Sequence, residues 1–268
     1  MTQGSYAHVN GLELYYEIHG SGAPLILLHG GFGSAGMFGE LLPQIGAGRQ
    51  VILVDLQGHG RTADIDRPLS MQEMADDVAG LIGQLGLGQA DVMGYSMGGA
   101  VALQTAIRHP AVVRKLVIVS SAFRSEGWFP GVRADMAQIG AHTAQTMLDT
   151  PMYHLYASTA PRPGDWPTLW AKMGDLMRQG YDWSQEVAAL KVPTLFMAGD
   201  ADSISPQHAA EFFSLLDGGK RDGVWDGSGM TPHRLAILPA TTHYNSVDSP
   251  LLAPVVTSFL DAPLPASR

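Results

Sequence analysis

"ADVMGYSMGGAVALQTAIRHP", residues Ala90–Pro110, changes character at its middle. The opening residues are an apolar run suited to a buried strand, and Met97 to His109 is a helix that Pro110 stops. Gly94, Gly98 and Gly99 crowd the join around Ser96. Gly94-Tyr95-Ser96-Met97-Gly98 fits G-x-S-x-G, with the strand before and the helix after that give the pattern its meaning. A serine forced into so sharp a turn needs small neighbours two residues away on each side, because strand and helix approach closely there. The turn lifts the hydroxyl above the sheet edge. The backbone N–H of Met97, at a helix N-terminus, then faces any oxyanion that forms. The plain alternative is a tight turn whose serine only caps the helix.

The segments on either side fix the sheet to which this strand belongs. Ser5 to Ile18 alternate around Asn10-Gly11, a strong hairpin signal. The short runs PLILLHG (Pro24–Gly30), QVILVDL (Gln50–Leu56), KLVIVSS (Lys115–Ser121), TLFMAGD (Thr194–Asp200) and LAILPAT (Leu235–Thr241) lack alternation, as strands buried on both faces do. Helical patterns separate them. Ser70 and Glu73 make a capping box, Met74, Val78, Leu81, Ile82 and Leu85 recur on one face, and Gly86 ends that helix. Pro206 to Leu216 is another helix. This order predicts an α/β fold, a mostly parallel doubly wound sheet after an antiparallel N-terminal hairpin. Phe123 to Leu190 carries no strand signal and is rich in Met, Trp, Tyr and Pro, so residues 123–190 read as an inserted helical lid, with residues 1–122 and 191–268 as the core. Asp217–His233, glycine-rich and polar, reads as a solvated connection.

Composition narrows the chemistry. A chain of 268 residues with 46% hydrophobic side chains suits one large core. A net charge of −9 argues against nucleic acid or an anionic membrane as partner. Zero cysteines exclude disulfides, a thiol nucleophile and thiolate metal sites. No H-E-x-x-H or phosphate-cradling P-loop occurs, so neither a metal nor another cofactor is expected. The polar start MTQGSYAHVNG lacks the apolar stretch of a signal peptide, and no run approaches the ~18 residues of a membrane span. The expectation is a soluble, cytoplasmic protein.

A serine nucleophile needs a general base. Of ten histidines, His243 alone follows the end of the last strand, where open parallel sheets gather their chemistry. His233 stands at that strand's wrong end, His29 and His59 sit inside glycine turns, and His109, His142, His154 and His208 read as surface or lid residues. The orienting acid cannot come from Ser120-Ser121-Ala122, after the strand that follows the nucleophile helix, which leaves Asp200 or Asp202.

The chain resembles the α/β-hydrolase superfamily, especially its lidded esterases, haloperoxidase-like perhydrolases and carbon–carbon bond hydrolases. The resemblance covers nearly the whole chain. It rests on His29-Gly30-Gly31, Asp55-Leu56-Gln57-Gly58-His59-Gly60, the Ser96 elbow, Gly199-Asp200-Ala201-Asp202 and Thr242-His243-Tyr244. Gln57 and Thr62 depart from the family's usual arginine and serine. The resemblance implies a Ser96–Asp202–His243 triad, with Asp200 shaping the turn. It also implies an oxyanion hole from the N–H groups of Gly31 and Met97, with Phe32 as the alternative to Gly31. An aspartate in place of Ser96 would have marked a dehalogenase or an epoxide hydrolase.

The expected activity is hydrolysis of a small apolar carboxylic ester or lactone. Phe32, Tyr95, Trp128, Trp166 and Trp170 are the candidate substrate contacts. Rivals with the same triad are a carbon–carbon hydrolase of vinylogous diketo acids, a perhydrolase and a lidded ligand receptor. A lid arginine (Arg124, Arg133, Arg162 or Arg178) buried over Ser96 would favour the first of these. The oligomeric state is not legible.

Overall fold

A computed structural model of the protein describes residues 4–264, so the first three residues of the polar start lie outside it. Strands β1 (Ser5–Val9) and β2 (Leu12–Gly20) form the N-terminal hairpin. Asn10 and Gly11 both have positive φ, 48° and 79°, as a two-residue primed turn requires. The strands β3 (Ala23–Leu28), β4 (Arg49–Val54), β5 (Ala90–Tyr95), β6 (Val113–Val119), β7 (Thr194–Ala201) and β8 (Arg234–Thr242) complete one eight-stranded sheet. Its order is β1-β2-β4-β3-β5-β6-β7-β8, antiparallel at β1–β2 and β2–β4 and parallel elsewhere.

The helices are α1 (Leu42–Ile45), α2 (Met71–Gln84), α3 (Met97–Arg108), α4 (Pro130–Ala137), α5 (Ala141–Ala144), α6 (Pro151–Thr159), α7 (Trp166–Arg178), α8 (Ser184–Ala189), α9 (Pro206–Leu215) and α10 (Leu252–Asp261). The central strands feed two apolar layers because successive side chains point to opposite faces. Ile26, Leu28, Val92, Ile118 and Phe196 face α2, α3 and α9, whereas Leu25, Leu27, Met93, Val117 and Met197 face α1 and α10. Each such buried Leu, Ile or Val contributes ~1.5–3 kcal/mol, so both layers hold the strand ends in place.

The capping box at α2 is half formed. Ser70 Oγ accepts from the Glu73 N–H at 3.3 Å, while the Glu73 carboxylate turns to Arg67. Between β6 and β7 the chain is helical, and the two ends of that segment meet. Ser125 donates its N–H to the Tyr181 carbonyl, and the Trp183 N–H reaches the Phe123 carbonyl. Helix α8 follows this neck and packs on α9, with Val187 in the larger core.

Candidate active site

Ser96 occupies the join of β5 and α3 with φ 53° and ψ −119°, a backbone conformation that costs a non-glycine residue on the order of 1–3 kcal/mol. The turn is over-determined by its neighbours. A Cβ on Gly94 would lie 2.0 Å from the Gly98 carbonyl oxygen, and one on Gly98 would lie 2.2 Å from that of Leu28. The glycines therefore let strand, helix and β3 close on one another. The Ser96 N–H is bound by the Val119 carbonyl at 2.9 Å, which ties the elbow to β6.

His243 opens a short 3₁₀ turn directly after β8, capped by Thr242, whose side chain accepts from the Tyr244 N–H. Its Nε2 is 3.0 Å from Ser96 Oγ, and its Nδ1 is 3.0 Å from Asp202 Oδ1. The histidine is held from below: Tyr95 Oη donates to its carbonyl at 2.7 Å and Ser246 Oγ donates to the same oxygen at 3.1 Å. The other oxygen of Asp202 accepts from Ser120 Oγ at 2.5 Å and from the Gly199 N–H at 3.1 Å. Burial alone would push the Asp202 carboxyl up, but the hydrogen bonds with His243 and Ser120 outweigh it and hold the group below the usual carboxylate range. Asp200 lies apart from this chain of bonds. Its carboxylate accepts from the Thr241 N–H at 3.1 Å and closes the β7–β8 edge.

The loop after β3 turns beside the serine. The Gly33 N–H returns to the Gly30 carbonyl at 3.1 Å, and Phe32 at φ 59° takes the position of a type II turn that favours glycine. Helix α7 covers this loop. A Cβ on Gly31 would lie 2.8 Å from the Met173 methyl, a flexible neighbour that would have to move aside. The Phe32 ring stacks on Trp170 with centroids 4.3 Å apart. Lys172 fastens α7 to the core loop by donating to Asp64 Oδ2 at 2.6 Å and to the carbonyls of Ile65 and Arg67 at 2.7 and 2.8 Å. Gln57, at the position where arginine was the resemblance's expectation, donates to Asp64 and accepts from the Arg67 guanidinium, which itself pairs with the buried Asp77.

The five expected substrate contacts are held in different ways. Trp128 sets its ring edge-to-face with His243 at 5.5 Å, and Trp170 covers Phe32. Trp166 differs. It is fully buried, packs between Tyr153, Tyr156 and Trp170, and donates its indole N–H to the Ala144 carbonyl. Tyr95 differs as well, since its hydroxyl serves the His243 backbone. Both were expected to touch substrate; in each the polar donor already has a protein acceptor, as does the indole N–H of Trp128, which donates to Tyr181 Oη at 3.0 Å.

His208, expected at the surface or in the lid, is instead buried on α9. It accepts from the Phe123 N–H through Nε2 and stacks on the Phe123 ring, and burial lowers its pKa to about 4. His29 has its expected structural place, with Nε2 accepting from the Leu56 N–H. The four arginines of the β6–β7 segment all have acidic partners and partly exposed side chains: Arg124 with Glu211, Arg133 with Glu126, Arg162 with Asp165 and Arg178 with Asp175. Among the described residues no group of three or more His, Asp or Glu is gathered to hold a metal, and no helix is long and apolar enough to cross a membrane.

The sequence pattern of the alpha/beta hydrolase fold matches residues 23–229. The chain belongs to the α/β-hydrolase family. The AB hydrolase superfamily protein YisY of Bacillus subtilis is 34% identical over 217 residues, 73% of this chain and 80% of that one. The putative carbamate hydrolase RutD of Azorhizobium caulinodans is 39% identical over 123 residues, but the match spans only 46% of either protein. Among solved structures, the carboxylesterase CesB of Bacillus subtilis superposes with a TM-score of 0.75 over 98% of this chain and 93% of that one, at 20% identity, which speaks for the fold.

Proposed function

We propose that the protein is a serine-dependent hydrolase of carboxylic esters or lactones. The observation that carries this reading is the continuous chain from Ser96 Oγ through His243 to Asp202, with both links at 3.0 Å. Ser96 Oγ attacks the acyl carbonyl while His243 Nε2 takes its proton. Asp202 holds Nδ1–H, fixing the tautomer and stabilising the imidazolium. The backbone N–H groups of Met97 and Gly31 receive the oxyanion, with Phe32 as the alternative to Gly31. His243 then returns the proton to the leaving alcohol, and water, activated by the same histidine, releases the acid from the serine.

The helical segment acts in this reading as the lid, lowering Trp128 and Trp170 over the serine and supplying an apolar wall with Met173. The surface pairing of all four lid arginines leaves none of them as a cationic receptor over Ser96. That favours neutral esters over the charged diketo acids of a carbon–carbon hydrolase. Turnover of p-nitrophenyl esters of graded acyl length by wild type and by Ser96→Ala tests the proposal. Wild-type turnover lost in the variant is the expected outcome, and equal turnover by both would sink it.

A further inference from the structure

The last residue of β6 is Val119, and the chain leaves the sheet there through two serines with different surroundings. Ser121 is buried, its hydroxyl has no partner among the described residues, and it packs under Gly99. Ser120 is buried too, but its hydroxyl lies 2.5 Å from Asp202 Oδ2 and 3.3 Å from Ser246 Oγ. Each hydroxyl has a single proton to give. The Ser246 proton goes to the His243 carbonyl, and an ionised Asp202 has none. The Ser120 proton therefore belongs to Asp202.

A second, independent feature marks the same residue. Ser120 has φ 53°, as Ser96 does, and Phe32 at φ 59° also lies at a strand's carboxyl end beside the site. Glycine adopts this conformation without strain, so a serine here keeps a hydroxyl at a conformational cost. Strained side-chain-bearing residues held in place by a network are a mark of functional sites.

We propose that Ser120 is a positioning residue for the triad acid: its O–H and the Gly199 N–H clamp one oxygen of Asp202 so that the other is presented to His243 Nδ1. The inference rests on the triad reading above. The two clamping donors come from different strand ends, Ser120 beyond β6 and Gly199 in β7. Turning the carboxylate away from His243 would break both bonds together. Tyr95, reaching in from β5, is a further titratable side chain near Asp202, in a neighbourhood that also holds Tyr244 and Asp248, and its hydroxyl is fixed on the His243 carbonyl. The strand position that carries no acid in this chain thus carries the acid's partner.

Two substitutions separate positioning from plain packing. Ser120→Ala removes the hydroxyl and leaves the strain. Ser120→Gly removes both, so it should melt no lower than Ser120→Ala. With p-nitrophenyl butyrate as probe, both variants should lose about 10–100-fold in kcat, the effect of a hydrogen bond to a charged group, with KM within about twofold of wild type. Wild-type kcat in both variants, or a loss of activity that simply follows the melting temperature, would overturn the inference. Ser96→Ala is the companion control. If it abolishes turnover while the Ser120 variants keep theirs, the positioning role alone fails. If Ser96→Ala itself retains turnover, the triad reading falls and this inference with it.

Discussion

The carboxyl edge of the sheet and the helical segment between β6 and β7 are held by different forces. At the sheet edge every group of the proposed triad is tied by directed bonds. Ser96 is fixed through its N–H to Val119, His243 through its carbonyl to Tyr95 and Ser246, and Asp202 through one oxygen to Ser120 and Gly199. The helical segment rests more on apolar and aromatic packing of α7, joined by the Lys172 fastening to residues 64–67 and by backbone bonds from the Phe129 N–H to the Ser203 carbonyl and from the Ser205 N–H to the Gly127 carbonyl. Directed bonds fix atoms to fractions of an ångström, which proton transfer demands. Packing fixes a surface, which is enough to choose among acyl groups. Substitutions at the edge should therefore act on kcat, and substitutions in the segment on the preference among substrates.

The largest expected effect lies at the edge. Ser96→Ala should lower kcat by roughly 10⁶ with the fold intact, read from steady-state turnover beside a thermal melt. Asp202→Asn should cost about 10⁴ in kcat through the wrong histidine tautomer and leave the melting temperature nearly unchanged. Asp200→Asn is its counterpart. It weakens the bond to the Thr241 N–H and should cost about 1 kcal/mol of stability with little effect on kcat. A reversal of these two profiles would mean that the acid has been assigned to the wrong aspartate.

In the helical segment the expected losses are smaller and selective. Trp128→Ala and Trp170→Ala should lower kcat/KM by about 10–200-fold on long-chain esters and change acetate little. Trp166→Ala should instead lower stability by about 3–5 kcal/mol and act alike on every substrate, because that ring is the most deeply buried of the three and is enclosed by Tyr153, Tyr156, Trp170 and Phe32. Indifference to chain length in all three variants would erase the contrast between the two regions.

The pH effect is gradual and acts on stability alone. His29, His208 and His233 have pKa values lowered by burial to about 4, and His59 to about 3, from an ordinary 6.5. Between pH 6.5 and 4 the unfolded chain binds protons that the native state refuses, so stability falls as pH falls through that window. Each histidine contributes up to about 1.4 kcal/mol per pH unit. Melting temperatures measured from pH 7 to 4 should decline steadily. His208→Phe, which keeps a ring against Phe123, should flatten part of that decline.

What the sequence disclosed and what it withheld divide along similar lines. The hairpin at Asn10-Gly11, the six core strands and the Ser96 elbow are local patterns, so a few adjacent residues announce them. The placing of His243 beside Ser96 was foreseeable because His243 follows a strand's end. Asp202 needed the resemblance to separate it from Asp200, two residues away. Ser120 was passed over because it is not an acid. Its part in the site depends on a contact across 82 residues of chain that no local pattern records. The burial of His208 and the interior place of Trp166 were hidden for the same reason: packing against Phe123 or Tyr156 is a tertiary fact. The acidic partners of the four arginines between β6 and β7 likewise came only with the fold.

The claim at the centre is that Ser96 is a nucleophile activated by His243. The most direct test is covalent capture, with the protein incubated with an alkyl p-nitrophenyl phosphonate and the modified residue located by peptide mass. The account predicts one equivalent of label on Ser96, formed quickly in wild type and orders of magnitude more slowly in His243→Ala. Label on a different residue, or equally fast labelling of Ser96 without His243, would contradict it.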